Sequence, residues 1–278
     1  MTTTTTTFTA PLLVEDESQS NRLAWAIADI ITMAKRNILA VLRTPEALFF
    51  TTLQPIMFVL LFSYVFGGAV KVPGVNYREF LMAGIFAQTM VFGATLTGAG
   101  LADDMQKGII DRFRTMAISR GAVLTGHVIG SLLQTLAVLM LVLGVSLAIG
   151  FRSLATALEW LAVAGVLALF AFALIWLSAA LGMAAKSVET ASNTPMFLTL
   201  LPFLSSGFVV TATMPAGLRQ FAEYEPFTPV TQTVRGLLTG GPIGTQAIAA
   251  IAWSIGIALV SYLWAVRLYN RRRAATPS

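Results

Sequence analysis

Six apolar stretches set the pattern of this chain, at about 48–70, 80–102, 124–149, 160–183, 195–212 and 246–268. A helix needs about 20 predominantly apolar residues to cross the hydrocarbon core. The pattern therefore predicts six transmembrane helices, the fifth short and interrupted by Pro202. No Asp, Glu, Lys or Arg falls in the middle of any stretch, where a charge costs about 2.5–3.5 kcal/mol on insertion scales. Glu79 and Glu159 lie at span ends, where snorkelling to the interface accounts for them. Gly84, Gly93, Ala94, Gly98 and Gly100 crowd the second stretch and permit close helix–helix approach.

The polar segments between the stretches carry their own periodicity. Residues 1–21 open on a threonine run and end in polar residues, a composition that cannot bury itself and reads as a disordered tail. It has neither a basic n-region nor an apolar h-region, so it does not read as a secretory signal. Over 22–43, Leu23, Ile27, Ile30, Ala34, Ile38 and Val41 recur at steps of three and four, while Arg22, Asp29, Arg36 and Arg43 recur every seven residues on another face. That is an amphipathic helix lying along the membrane surface.

In the segment 103–120 between the second and third stretches, Ile109, Phe113 and Met116 share one face of a short helix, with Asp111, Arg112 and Arg114 elsewhere on it. Two readings stay open from spacing alone: the face packs on a partner, or it dips into the lipid interface. The region 213–245 between the fifth and sixth stretches predicts a helix over 216–224, a break over 225–229 and a second helix over 230–238. Half-helices dipping into the outer leaflet fit it, because irregular backbone at membrane depth needs protein cover or a cavity.

Composition narrows the class. The 278 residues are 56% hydrophobic and only 11% charged, with a mean hydropathy of +0.77. A soluble domain carries roughly 25% charged residues, so this chain lacks the polar surface to be one. The net charge of +5 does not signal nucleic acid, because the basic residues lie between apolar runs and form no single stripe. With a cytoplasmic amino terminus, thirteen Lys and Arg residues fall inside and five outside. This positive-inside bias puts both termini in the cytoplasm, with Arg271, Arg272 and Arg273 forming a basic tail over 271–278.

Several chemistries are excluded. The chain has no cysteine and one histidine, His127, which rules out disulfides, iron–sulfur clusters and any two-histidine metal site. It has no G-x-x-x-x-G-K-[ST] phosphate loop, so it does not itself hydrolyse ATP. Gly144-Val145-Ser146-Leu147 superficially matches an intramembrane serine-protease loop. His127 lies nineteen residues earlier on the same helix, about 28 Å away, far beyond the reach a nucleophile–base pair needs. No intramembrane carboxylate offers a proton or sodium relay, which argues against an ion-coupled secondary transporter. Energy must come from elsewhere.

Two polar motifs carry a resemblance to a known family. The run from Asp104 to Arg120, followed by Gly126-His127, resembles the loop between spans two and three of type-2 ABC transporter permeases. The stretch from Glu225 to Leu238, with Pro226, Pro229 and Arg235, resembles their N-P-L-T-P…R-G-L-L segment before the last span. Within that family the chain is most similar to the daunorubicin/doxorubicin-exporter type. The likeness covers nearly everything from Arg22 onward. Ala117 stands where proline is usual, and Glu225 where asparagine is common.

The resemblance implies an all-α membrane domain over 22–270, with an interfacial helix, six spans and outer re-entrant helices. It implies a dimer, with an identical or a paralogous permease, served by two copies of a separate ABC ATPase. ATP and Mg would be bound by that partner, and no cofactor by this chain. It also makes 103–120 a coupling loop seated on the ATPase, giving Ile109, Asp111, Arg112, Phe113, Arg114, Met116 and Arg120 a docking role. The cargo implied is a hydrophobic or amphiphilic compound, drug or lipid, with a lipid-linked glycan as the alternative.

Overall fold

The computed structural model describes Trp25, residues 28–36, Leu39, and residues 45–67, 76–108 and 122–274. Among these the protein is all helical, with no strand. Residues 28–36 are helical. α1 is Pro45–Leu60 and continues as a π-helical turn over Leu61–Phe66. α2 is Tyr77–Gln106, α3 Ala122–Ala148 and α4 Ala157–Ala184. α5, Val188–Asn193, passes directly into a 3-10 helix over Thr194–Leu204. Two short helices follow, α6 over Ala216–Tyr224 and α7 over Phe227–Thr239, and then α8 over Gln246–Ala274.

Among the described residues, four helices are long and apolar enough to cross a membrane: Tyr77–Gln106, Leu124–Ala148, Ala157–Ala184 and Gln246–Leu268. They coincide with the second, third, fourth and sixth stretches of the sequence pattern. The first stretch contains a shorter apolar helix, Thr51–Val65. The fifth differs most from expectation. Its helix starts at Val188 and ends at Leu204, where the sequence pattern placed a span at 195–212. Pro195 and Pro202 remove amide donors from this segment, and the chain breaks where Ser205 Oγ turns back to donate to Pro202 O at 2.6 Å. The 3-10 winding rises about 2.0 Å per residue against 1.5 Å in an α-helix, so the seventeen residues together reach about 31 Å.

α2 is the centre of the bundle. Of its most apolar window 78% is buried inside the protein, against 22% for α8. It packs against α4 and α3, with α8 on the far side of α4 and α7 seated on α2, α4 and α8. The small residues of α2 do what the sequence predicts. A Cβ on Gly93 would lie 2.8 Å from Thr135 Cβ of α3, and one on Gly182 of α4 would lie 2.8 Å from Gly98 Cα. The close α2–α4 crossing is hydrogen-bonded: Gly98 N donates to Ser178 Oγ at 3.0 Å, and Ser178 Oγ donates to Thr95 O at 3.3 Å.

Glu159 has a different role from snorkelling. Its carboxylate accepts from Thr156 N at 2.6 Å and Thr156 Oγ1 at 2.8 Å, and with the reciprocal bond from Glu159 N to Thr156 Oγ1 it completes a capping box at the start of α4. The turn before it is tied to the end of α7 through Ser153 Oγ and Leu154 N, both donating to Leu238 O.

Candidate functional site

Three places combine polar chemistry with exposed or cleft-forming surface. At one end of the bundle the helix 28–36 docks onto α3. Met33 and Ala34 are buried, and a Cβ on Gly126 would strike Met33 Cβ and lie 3.1 Å from Ile30 O. Of the expected apolar stripe, Ala34 and Ile30 face this junction, while Ile31, outside the stripe, is exposed. Beside the docking surface Arg36 Nη2 donates to Asp104 Oδ2 at 3.2 Å. Asp103, next along, accepts from Lys107 Nζ at 2.6 Å, a bond that raises the lysine's pKa above its ordinary value. Exposed and half-exposed ion pairs of this kind add little to stability, because water and salt screen them.

The expected docking residues Ile109, Asp111, Arg112, Phe113, Arg114, Met116 and Arg120 lie outside the described residues, as do Arg22 and Arg43 of the amino-terminal helix. What the structure places are the residues on either side: Gly108 after α2, which has a φ of +65°, and Ala122 at the start of α3. Asp29 and Arg36 of the amino-terminal helix are both described and partly buried.

The second place is an open groove of about 240 Å³ between α1, α2 and the α5/3-10 segment. Gln54, Thr95, Ser192 and Thr199 supply hydroxyl and amide groups to it, and Phe92, Leu96, Ala99 and Met196 supply apolar wall. Among the described residues, no ionisable side chain lines it. Above Phe92 a set of phenyl rings closes the space between the same elements. Phe58 stacks on Phe92 at 6.0 Å and on Phe62 at 5.9 Å, and Phe203 stacks on Phe208 at 5.0 Å. None of the groove residues is marked by the sequence pattern, since a lone Thr or Gln in an apolar run gives no periodic signal.

The third place is the hairpin α6–α7. α6 has the bounds the sequence predicts, whereas α7 begins three residues before the expected 230. Pro229 is no breaker here, because it sits in the first turn, where an amide donor has no partner inside the helix. The two remaining orphans, the amides of Phe227 and Thr228, are served by Glu225, whose Oε1 accepts from Thr228 N at 3.0 Å and from Thr228 Oγ1 at 3.4 Å. Glu225 is 5% exposed and its Oε2 has no hydrogen-bond partner among the described residues. Burial pushes its carboxyl up to about 8, partly offset by the bonds from Phe227 and Thr228. At the other end α7 stops at Gly240, φ +69°, and Gly241 N returns to Gly236 O at 2.9 Å.

Arg235 fastens the hairpin to the bundle. Its guanidinium lies 3.6 Å from the centroid of the Phe80 ring. Nε donates to Phe80 O at 3.1 Å and Nη2 to Ser206 O at 2.7 Å. Ser206 N in turn donates to Thr228 Oγ1 at 2.9 Å. The turn at 205–207 is pressed directly on α2, since a Cβ on Gly84 would lie 2.6 Å from the carbonyl carbon of Gly207. The partners of Arg235 were not legible in the sequence, because they are backbone carbonyls set by tertiary approach.

Comparison with known proteins agrees with this architecture. Residues 28–239 match the family model described as "ABC-2 type transporter". The chain is 31% identical over 252 residues to the daunorubicin resistance ABC transporter permease protein DrrB1 of Streptomyces coeruleorubidus, covering 90% of this chain and 89% of that one. It is 22% identical over 210 residues to a probable doxorubicin resistance ABC transporter permease protein, DrrC, of Mycobacterium tuberculosis, covering 74% and 75%. A putative transport permease of Porphyra purpurea, ycf38, is 26% identical over 263 residues, covering 87% of each chain. With its all-helical bundle and four membrane-capable helices, this chain is a multi-pass membrane permease and belongs to the ABC-2 type transporter family.

Proposed function

We propose that this chain is the membrane subunit of an ATP-driven exporter that moves a hydrophobic or amphiphilic compound out across the plasma membrane. The groove between α1, α2 and the α5/3-10 segment carries the reading. It offers hydroxyl and amide groups along an apolar wall without any charge, which suits an amphiphile and gives no foothold to a coupling ion. The relatives named for daunorubicin and doxorubicin resistance support a drug-like cargo.

In this reading α1 with its π-helical turn and the α5/3-10 segment are the first and fifth of six spans, and both termini are cytoplasmic. The reach of about 31 Å of α5 and the 3-10 helix together supports the fifth. The α6–α7 hairpin is the outer re-entrant element. Two permease chains, identical or paralogous, pair in the membrane, and two copies of a separate ABC ATPase bind ATP and Mg below them. Phe113 and Met116 dock the 103–120 loop on that ATPase, with Arg112 and Arg120 at its edge. Closure of the ATPase pair pushes the loop, the permease halves rock, and the groove passes its cargo outward.

Reconstitution of the permease with its ATPase in vesicles tests this. ATP-dependent movement of an amphiphilic fluorescent drug is expected, with Gln54→Leu and Thr95→Val changing the apparent affinity for cargo and leaving ATP hydrolysis in place. Movement driven by a proton or sodium gradient without ATP would sink the proposal. Movement of a lipid-linked glycan and of no drug would move it to the alternative cargo.

A further inference from the structure

We propose that the Arg36–Asp104 ion pair is a mechanical joint, tying the amino-terminal helix to the end of α2 so that a push on the 109–121 loop moves both as one lever. This rests on the exporter reading above. The loop 109–121 hangs between Gly108 at the end of α2 and Ala122 at the start of α3, so anything that presses on it acts on those two helix ends. Helix 28–36 touches both. Its Met33 and Ala34 face is laid against Gly126 of α3, and its Arg36 reaches Asp104 of α2.

The two contacts do different work. Apolar packing against a glycine sets a distance but leaves the helix free to slide and roll. A directed N–H···O bond between residues 68 apart in the chain fixes register.

Charge placement points the same way. Asp103 and Asp104 occupy the last turn of α2, where the partial negative charge of the helix end disfavours carboxylates. Each is relieved by a base: Lys107 for Asp103, from the same turn, and Arg36 for Asp104, from a separate element. A residue that breaks a local rule and is compensated only across elements is expected where function requires the link. The pair is half-exposed and adds little to stability, so its loss should show in coupling and leave the fold standing.

The test uses the permease with its ATPase in vesicles. Arg36→Glu and Asp104→Arg, made singly, are expected to keep the ATPase bound and hydrolysing while export per ATP falls about tenfold. Combining them in one chain reverses the pair and is expected to restore export to within about twofold. The chain has no native cysteine, so Arg36→Cys with Asp104→Cys can be bridged by a short thiol-to-thiol linker. The bridged form is expected to export and the unbridged form to fail. The joint also has a readout that needs no ATPase. Spin labels at Thr32→Cys and Gln106→Cys should give a narrow distance distribution that broadens with Arg36→Glu and narrows again in the reversed pair. Single reversals that export normally, a reversed pair that does not recover, a bridge that stops export, or an unchanged spin-label distribution would each overturn the joint. A wild-type chain that retains no ATPase would instead count against the exporter reading.

Discussion

The guanidinium carbon of Arg235 lies over the ring of Phe80, 3.6 Å from its centroid, while the group donates to the Phe80 and Ser206 carbonyls. One side chain thus joins the α6–α7 hairpin, the first turn of α2 and the break that ends the fifth segment. Replacing it removes the side-chain donors from the Phe80 and Ser206 carbonyls and the cation from the Phe80 ring. Arg235→Ala is expected to destabilise the detergent-solubilised protein by about 2–4 kcal/mol. Arg235→Lys should recover only part of that, because an ammonium cannot stack and fork at once. Thermal unfolding followed by tryptophan fluorescence checks both.

Glycines should divide by what a methyl group would meet. At Gly84 and Gly182 the added carbon runs into the backbone of Gly207 and Gly98, whereas at Gly165 and Gly256 it meets open space. Gly84→Ala and Gly182→Ala are expected to cost about 1–3 kcal/mol through overpacking. Gly165→Ala and Gly256→Ala should be neutral or gain up to about 1 kcal/mol from helix propensity. The yield of monodisperse protein in mild detergent, ranked across the four variants, measures this.

How much of this was legible in the sequence follows from the physics of each element. The second, third, fourth and sixth apolar stretches announce themselves as membrane-capable helices through length and hydropathy, and α6 through Pro215 ahead of it. The start of α7 was not legible because Pro229 reads as a breaker unless the turn it occupies is known. The fifth segment was misplaced because a 3-10 winding leaves no 3.6-residue period, and Ser205 and Gly207, which end it, are unremarkable in an apolar run. Asp104 was visible as a charge but not as the partner of Arg36, 68 residues away. Gln88 passed unnoticed, although its amide is 2% exposed and unpaired among the described residues.

Glu225 makes stability depend on pH. Its carboxyl is held up at about 8 in the folded protein against an ordinary 4.5, so between these values the folded state binds a proton that the unfolded state has lost. Its contribution is fully present below about 4.5 and is lost as pH rises through about 8, with a slope of at most about 1.4 kcal/mol per pH unit. Glu225→Gln keeps an oxygen for Thr228 N and cannot ionise. The variant is expected to flatten the decline of the melting temperature between pH 6 and 9, and to melt above the wild type at pH 9. Parallel curves for the two proteins would show that Glu225 does not carry the dependence.

The central claim is that a separate ATPase drives this permease through the 103–120 loop. Gentle-detergent purification of the tagged chain from its native membrane, with mass spectrometry of what accompanies it, tests that claim most directly. A near-stoichiometric ABC ATPase is expected, retained by the wild type and lost from Phe113→Ala and Arg112→Glu, while both variants insert normally. A permease that comes away alone under several mild detergents, or that holds its ATPase just as well without Phe113, would contradict it.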